Sequence, residues 1–369
     1  MRICYLTNSA IPSTSANSIA TVKMCEAFSE LKNEVILITR NVKNNNKDIF
    51  KFYDVKFKFK IKKIKNFNQF PLGIKYYFFS LISIISSLNF KPDLYITRNF
   101  FTCFLLVLLR KKVIIEIHHD LNIESRIVKI LIKFTKFLNS KYVIKIITIT
   151  NGIKNEYLNK KYIDENKTLL LPSGSSIKNN FRFNLKKKEF KIGYFGSLYK
   201  SRGVDLILKL SKIDKKNKYF LYGDLKHVSK SKLKNVSKNL KLKNHIPYRE
   251  VSAVLDKMDI LLIPYISSVT VSGNVADITK YTSPLKLFDY LCAGKIIICS
   301  DYDVLKEIIQ NKKNAIFIKN YKNPYSWKNE ITKLKNQSSK QFIMSRNNYL
   351  LSKKFSLKQR AKLILNSVL

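Results

Sequence analysis

Lys191-Ile192-Gly193-Tyr194-Phe195-Gly196-Ser197-Leu198-Tyr199-Lys200-Ser201-Arg202-Gly203-Val204-Asp205 is the stretch on which the fold turns. It opens with a short apolar run ending at Phe195, the pattern of a strand buried on both faces. Glycines at 196 and 203 punctuate the turn that follows, and a helical pattern starts near Val204. Strand, glycine turn and helix in this order make a βα unit whose helix start offers unpaired backbone N–H groups and the positive end of its dipole to the turn. An anion suits that place, and Arg202 adds a forked cation matched to phosphate oxygens. The spacing is neither G-x-G-x-x-G nor a P-loop, so an ordinary βα turn with an exposed Arg is the competing interpretation.

The same alternation runs outward in both directions. Strands are expected at 2–7, 34–39, 93–96, 112–117 and 145–149, then at 191–195, 219–222, 259–264, 295–299 and 315–318, with helical stretches between them. Most are unbroken apolar runs, as in a parallel sheet covered on both faces. The fold class is therefore α/β of the doubly wound kind, in two series. Leu170-Leu171-Pro172-Ser173-Gly174-Ser175-Ser176 and the polar, basic stretch 177–190 separate them. The expected domains are 1–172 and 173–352, each Rossmann-like, with a final helical segment over 353–369 that either caps the second domain or crosses back to the first. Ligands of such folds bind outside the carboxyl ends of the strands, here in a cleft between two facing halves.

Composition bounds the class. The chain has 369 residues, 46% of them apolar, enough for a core in each of two domains, and only 9 Gly and 8 Pro, which excludes collagen-like and linker-like chains. Its apolar runs fall short of the roughly 20 residues that a spanning helix needs. Met1 to Thr7 reads as a buried strand rather than an export signal, so a cytoplasmic address is expected. Cys4, Cys25, Cys103, Cys292 and Cys299 sit in apolar contexts without C-x-x-C spacing and read as reduced core residues. With 69 Lys+Arg against 25 Asp+Glu the formal charge is +44. A codon bias toward Lys, Asn and Ile explains part of it, yet a basic residue near an anionic leaflet still contributes on the order of 1 kcal/mol. Residues 56–65 alternate basic and apolar, as an edge strand with one wet face does. Arg126, Lys129, Lys133 and Lys136 share a helical pattern with Ile130, Phe134 and Phe137, read either as a basic amphipathic surface or as a packed helix with a solvated lysine face.

A second stretch carries chemistry: Ser283-Pro284-Leu285-Lys286-Leu287-Phe288-Asp289-Tyr290-Leu291-Cys292-Ala293-Gly294-Lys295. Ser283 is expected as N-cap with Pro284 at the first helical position, and Gly294 as the helix stop. Asp289 stands among apolar neighbours, where a carboxylate needs donors, and a pair of ribose hydroxyls would supply them. In the N-terminal half, Lys112-Val113-Ile114-Ile115-Glu116-Ile117-His118-His119-Asp120 sets two of the four histidines just past a buried strand.

These segments together resemble the bacterial family 4 glycosyltransferases of the GT-B fold. The resemblance lies in Gly196 to Asp205, in Ser283 to Tyr290 with Ala293-Gly294-Lys295, in Ile11-Pro12-Ser13 with Ala16-Asn17-Ser18-Ile19, and in Phe355-Ser356 to Arg360-Ala361. It implies two facing Rossmann-like domains with a cleft, and retaining transfer of a hexosyl or N-acetylhexosaminyl group from a UDP- or GDP-sugar. The acceptor it implies is a growing lipopolysaccharide, capsule or other lipid-linked glycan at the membrane surface. No metal and no cofactor beyond the nucleotide-sugar is implied. By the same resemblance Arg202 meets the donor diphosphate with Lys286. Gly196, Ser197, Ser283, Pro284 and Leu285 line the donor, and Asp289 takes the place of the second glutamate of E-x7-E on the ribose. His118 lies against the donor sugar, with His119 its alternate, while Asn17, Ser18 and Arg98 lie on the acceptor side. Two positions depart from the pattern: the first glutamate falls at Tyr281, and the arginine expected five residues before Arg202 is Ser197. Asp301-Tyr302-Asp303 has the D-x-D form of a different glycosyltransferase fold and is read as coincidence. The alternatives from other classes are a polyanion- or nucleic-acid-binding protein, on charge, and a GT-B epimerase of sugar nucleotides.

Overall fold

The computed structural model describes residues 1–41, 48–65, 71, 74–183, 189–266, 277 and 279–368. The chain divides into two compact units, Met1–Pro172 with Leu357–Leu369, and Ser173–Ser356.

The first unit holds a seven-stranded, wholly parallel sheet. Its strands are β1 (Arg2–Ala10), β2 (Glu34–Arg40), β3 (Lys60–Ile64), β4 (Leu94–Thr97), β5 (Val113–Ile117), β6 (Val143–Thr148) and β7 (Thr168–Leu170). They lie in the order β3-β2-β1-β4-β5-β6-β7. The helices are α1 (Ala16–Glu30), α2 (Ile49–Tyr53), α3 (Ile74–Ser87), α4 (Phe100–Leu108), α5 (Arg126–Thr135) and α6 (Asn151–Asn159). The second unit holds six parallel strands, β8 (Lys191–Phe195), β9 (Lys218–Tyr222), β10 (Leu240–Lys243), β11 (Ile260–Ile263), β12 (Ile296–Ser300) and β13 (Ala315–Ile318), in the order β10-β9-β8-β11-β12-β13. Its helices are α7 (Val204–Ile213), α8 (Lys230–Lys234), α9 (Tyr248–Asp256), α10 (Leu285–Cys292), α11 (Asp303–Lys306), α12 (Pro324–Lys335) and α13 (Ser338–Ser352). The last helix, α14 (Leu357–Asn366), returns to the first unit.

Both sheets reverse direction at their first strand, the doubly wound topology that opens a crevice at the carboxyl ends of β1 and β4, and of β8 and β11. Continuous apolar strands follow from having a core on either face. Ile260 and Leu262 of β11 enter one cluster with Ile296 and Ile298 of β12, while Leu261 and Ile263 enter another with Ile297 and Cys299. In the first unit Leu357, Ala361 and Ile364 of α14 join the core formed by β1, β2 and α1, so the closing helix packs on the N-terminal sheet. All five cysteines are buried and free.

Local differences from expectation have physical causes. Thr168–Leu170 and Leu240–Lys243 are edge strands that sequence patterning missed, because only one edge of each is paired and the apolar run is short. The basic alternation at 56–65 contracts to a five-residue edge strand, Lys60–Ile64. The solvated-lysine interpretation of α5 covers only half of its outer face: Val128 and Ile132 are buried, but Ile130 and Phe134 are 55% and 73% exposed beside the lysines, and Phe137 is buried. No helix among the described residues is long and apolar enough to cross a membrane.

Candidate active site

In the second unit the turn after β8 meets the turn after β11 and the start of α10. Gly196 has φ +136°, a backbone angle that favours glycine, and a Cβ there would lie 2.8 Å from Lys286 Nζ and displace the end of that side chain. Gly203, φ +81°, caps α7, and a Cβ on it would lie 1.8 Å from the Pro264 carbonyl. The two turns are thereby pressed together at the switch point of the sheet. Tyr194 at the end of β8 donates its hydroxyl to the Ser197 carbonyl at 2.7 Å, which fixes the turn and leaves Ser197 itself exposed.

Lys286 projects from the first turn of α10 over the Tyr194 ring, 4.0 Å from its centre, and lies 5.9 Å from that of Tyr265. Its Nζ is buried and has no hydrogen-bond partner among the described residues. The Arg202 guanidinium lies 5.2 Å from the centre of the same Tyr265 ring. Burial holds the Lys286 pKa well below the usual lysine range, and the positive charge of Arg202 pushes the same way. Cation–π contacts offset about 2 kcal/mol of such desolvation, which leaves both cations suited to an anion of more than one charge.

The start of α10 corrects the expected cap. Pro284, not Ser283, is the N-cap, and Leu285 begins the helix. The Ser283 hydroxyl accepts instead from the Ser173 N–H at 3.0 Å, because proline in the cap position offers no side-chain acceptor. Gly294, φ +58°, follows the helix end as expected. Asp289 lies one turn along α10 from Lys286, on the same side of the helix. It accepts from the Ser175 hydroxyl at 2.6 Å, and burial pushes its pKa up to about 7. Tyr281, at the place of the missing glutamate, lies in the turn before α10.

In the first unit Arg98 meets Glu116 of β5 directly and Asn17 is joined to it through Arg98, whereas Ser18 and His119 are bonded elsewhere. Glu116 is 3% exposed and receives Arg360 Nη2 at 2.5 Å, Arg98 Nε at 3.2 Å and the Tyr5 hydroxyl at 3.3 Å. Burial alone would raise its pKa, but the guanidiniums of Arg360 and Arg98 hold it well below the carboxylate range. Arg98 extends to Asn17 Oδ1 at 2.5 Å, and Asn17 in turn donates to Ser9. His118 Nε2 lies 3.2 Å from Glu116 Oε1. Burial, aided by Arg98, brings the His118 pKa down to about 4, so the ring is neutral at pH 7. His119 is tied to its own loop, Nδ1 to the Asp120 carbonyl at 2.9 Å and Nε2 3.4 Å from Glu124. Ser18 is fully buried and spends its hydroxyl on the Ala10 carbonyl at 3.0 Å. Asp301 and Asp303 both pair with Lys306, at 2.6 and 3.0 Å. No group of three His, Cys, Asp or Glu side chains among the described residues could hold a metal ion.

Two parallel, doubly wound Rossmann-like sheets are the architecture of the GT-B fold. Residues 176–350, which lie within the second unit, match the family model of Glycosyl transferases group 1. No curated protein sequence matches the chain. Among solved structures it is similar to sucrose-phosphate synthase from Thermosynechococcus elongatus, with TM-score 0.73 at 12% identity over 99% of this chain and 97% of that one. Anabaena HepE in complex with UDP-glucose is similar over 100% of both chains, with TM-score 0.70 at 11% identity. WaaG, a glycosyltransferase involved in lipopolysaccharide biosynthesis, is similar over 98% of this chain and 99% of that one, with TM-score 0.64 at 12% identity.

Proposed function

We propose that the protein is a glycosyltransferase that moves a hexosyl or N-acetylhexosaminyl group, with retention, from a UDP- or GDP-sugar to a growing lipid-linked cell-surface glycan such as lipopolysaccharide or capsule. One observation carries the donor half: Lys286 and Arg202, two cations over one tyrosine, held against a glycine turn with no room for a side chain. Transfer gathers negative charge on the departing diphosphate, and charge-assisted hydrogen bonds placed there beforehand contribute roughly 1.5 to 3 kcal/mol each. Lys286, Arg202 and the N-termini of α7 and α10 take that role. The reading gives Gly196, Ser197, Ser283, Pro284 and Leu285 to the walls of the donor site. Asp289, with one donor in Ser175 and room for more on its oxygens, takes the ribose hydroxyls. His118 is assigned to the donor sugar, with Arg98 and Asn17 on the acceptor side. The likeness to HepE, whose structure contains UDP-glucose, and to WaaG supports a sugar-nucleotide donor and a glycan acceptor.

The membrane part of the reading rests on charge and exposure. Between Asp54 and Asp93 there are eight lysines and no acidic residue, and between Glu124 and Glu156 there are seven basic residues and none acidic. Ile127, Ile130 and Phe134 of α5 and Leu108 of α4 stand exposed in those surroundings, a surface suited to an anionic leaflet.

Binding and slow hydrolysis of a panel of labelled UDP- and GDP-sugars test the proposal. Saturable binding of one of them, lost in Arg202→Ala, is expected. Binding of polyanions alone, collapsing with salt and indifferent to every sugar nucleotide, would replace it with the polyanion-binding reading.

A further inference from the structure

Tyr265 follows β11 at the carboxyl edge of the second sheet and is fully buried, yet its hydroxyl has no hydrogen-bond partner among the described residues. The rest of the residue is held firmly. Its carbonyl accepts from the Ser300 hydroxyl at 2.6 Å, and its ring stands edge-on to that of Tyr302, 5.9 Å between centres. Two more buried polar atoms on the neighbouring turns lack partners. Lys286 Nζ, 5.9 Å from the centre of the Tyr265 ring, is one. The other is Ser201 Oγ, in the turn whose carbonyl accepts from the Ile266 N–H at 3.3 Å. Buried polar atoms are normally paired, so three unpaired ones at one strand end point to a group that pairs them.

The chemistry of the neighbours defines that group. Arg202, 5.2 Å from the centre of the Tyr265 ring, and Lys286 can only donate. Burial raises the pKa of the Tyr265 phenol, with Arg202 opposing, so the hydroxyl keeps its proton at neutral pH. Hydroxyl and ammonium thus have protons to give beside a further cation, and the place lacks an acceptor. An anion with several oxygen atoms fits it best.

We propose that Tyr265 is a donor-binding residue: its hydroxyl donates to a diphosphate oxygen of the sugar nucleotide, on the group that Lys286 and Arg202 also meet. This inference rests on the donor reading given above. One side chain then acts twice. The ring steadies the two cations, and the hydroxyl adds a neutral donor, which holds phosphate without adding to the repulsion between Lys286 and Arg202.

Tyr265→Phe keeps the ring and removes only the hydroxyl. Equilibrium titrations of the full chain compare UDP and GDP with uridine and guanosine. Tyr265→Phe is expected to weaken the nucleoside diphosphate that the wild type binds by about tenfold, the size of one hydrogen bond to a charged acceptor, and to leave the nucleoside unaffected. Its Tm should equal or exceed that of the wild type, because an unpaired buried hydroxyl is gone. Tyr219→Phe supplies the contrast. That hydroxyl, on the amino-terminal half of β9, is bonded to Asp214 at 2.6 Å, so its removal should lower Tm with the diphosphate Kd unchanged. An unchanged diphosphate Kd in Tyr265→Phe, or an equal loss with the nucleoside, overturns the inference while the donor reading stands. A fall in Tm as large as that of Tyr219→Phe overturns it too, since the hydroxyl would then be paired within the fold. A wild type that binds neither UDP nor GDP removes the donor reading itself, and this inference with it.

Discussion

The carboxyl of Asp289 makes donor binding a function of pH in a way that opposes the pH dependence of stability. Burial raises its pKa from 3.8 to about 7, with the Ser175 hydroxyl opposing. A carboxyl whose folded pKa is raised contributes stability that is fully present below the unfolded value and is lost as pH rises through the folded one. Three units correspond to about 4 kcal/mol at most, lost between roughly pH 4 and pH 8. Donor affinity runs the other way, since ribose hydroxyls donate to the ionised form. With a pKa of 7, about one molecule in ten is ionised at pH 6 and nine in ten at pH 8, so the apparent Kd should weaken about tenfold between pH 8 and pH 6. Calorimetric titration with a nucleotide-sugar suits the test, because its diphosphate diester does not titrate in this range. Asp289→Asn should bind more weakly at pH 8, with a flat profile, and should keep its Tm where that of the wild type falls on going from pH 5 to pH 8. A flat wild-type profile, or an unchanged slope in Asp289→Asn, would refute the reasoning.

Arg202→Ala should lower turnover at least 100-fold while leaving unfolding free energy within about 0.5 kcal/mol of wild type, checked by steady-state kinetics and urea melts. Lys286→Met should also lose turnover yet melt at an equal or higher temperature, since it removes a buried ammonium whose charged form the fold disfavours. Gly196→Ala should weaken sugar-nucleotide binding, because its Cβ would crowd Lys286 Nζ at a backbone angle that L-residues avoid. Phe134→Ser should reduce sedimentation with anionic lipid vesicles, with turnover on a detergent-soluble acceptor unchanged; equal sedimentation would remove α5 from the membrane surface.

Strands of this fold were legible in proportion to their burial. β11 and β12 feed alternate side chains into cores on both faces and therefore appear in the sequence as unbroken Ile and Leu. β7 and β10 lie at sheet edges, where one partner suffices, and Thr168-Leu169-Leu170 or Leu240-Lys241-Leu242-Lys243 is too short for its pattern to stand out from a loop. The destination of the closing helix was open for a related reason. An amphipathic pattern says that one face of α14 is buried, and only the core composition, with Leu357, Ala361 and Ile364 beside β1 and α1, says against what.

The two halves of the site were legible to different degrees because different physics builds them. Gly196, Arg202, Lys286 and Asp289 lie at the ends of helices and strands, where a βα rule says which backbone ends meet, so segments some 80 residues apart could be placed together from patterning alone. What the rule could not supply is the aromatic floor: Tyr194 and Tyr265 read as core residues, and they are core residues, buried and hydrogen-bonded or packed like any other. Their faces matter only because Lys286 Nζ and the Arg202 guanidinium stand over them, a relation among two strand ends and two helix starts. In the first unit Asn17, Arg98 and His118 each carried a local signal, but the residue that joins them is a glutamate inside a run of Val and Ile. A lone carboxylate in a buried strand is costly without donors, and that cost is itself the signal: Glu116 had to find cations, and the chain returns a helix from its far end to bring one of them.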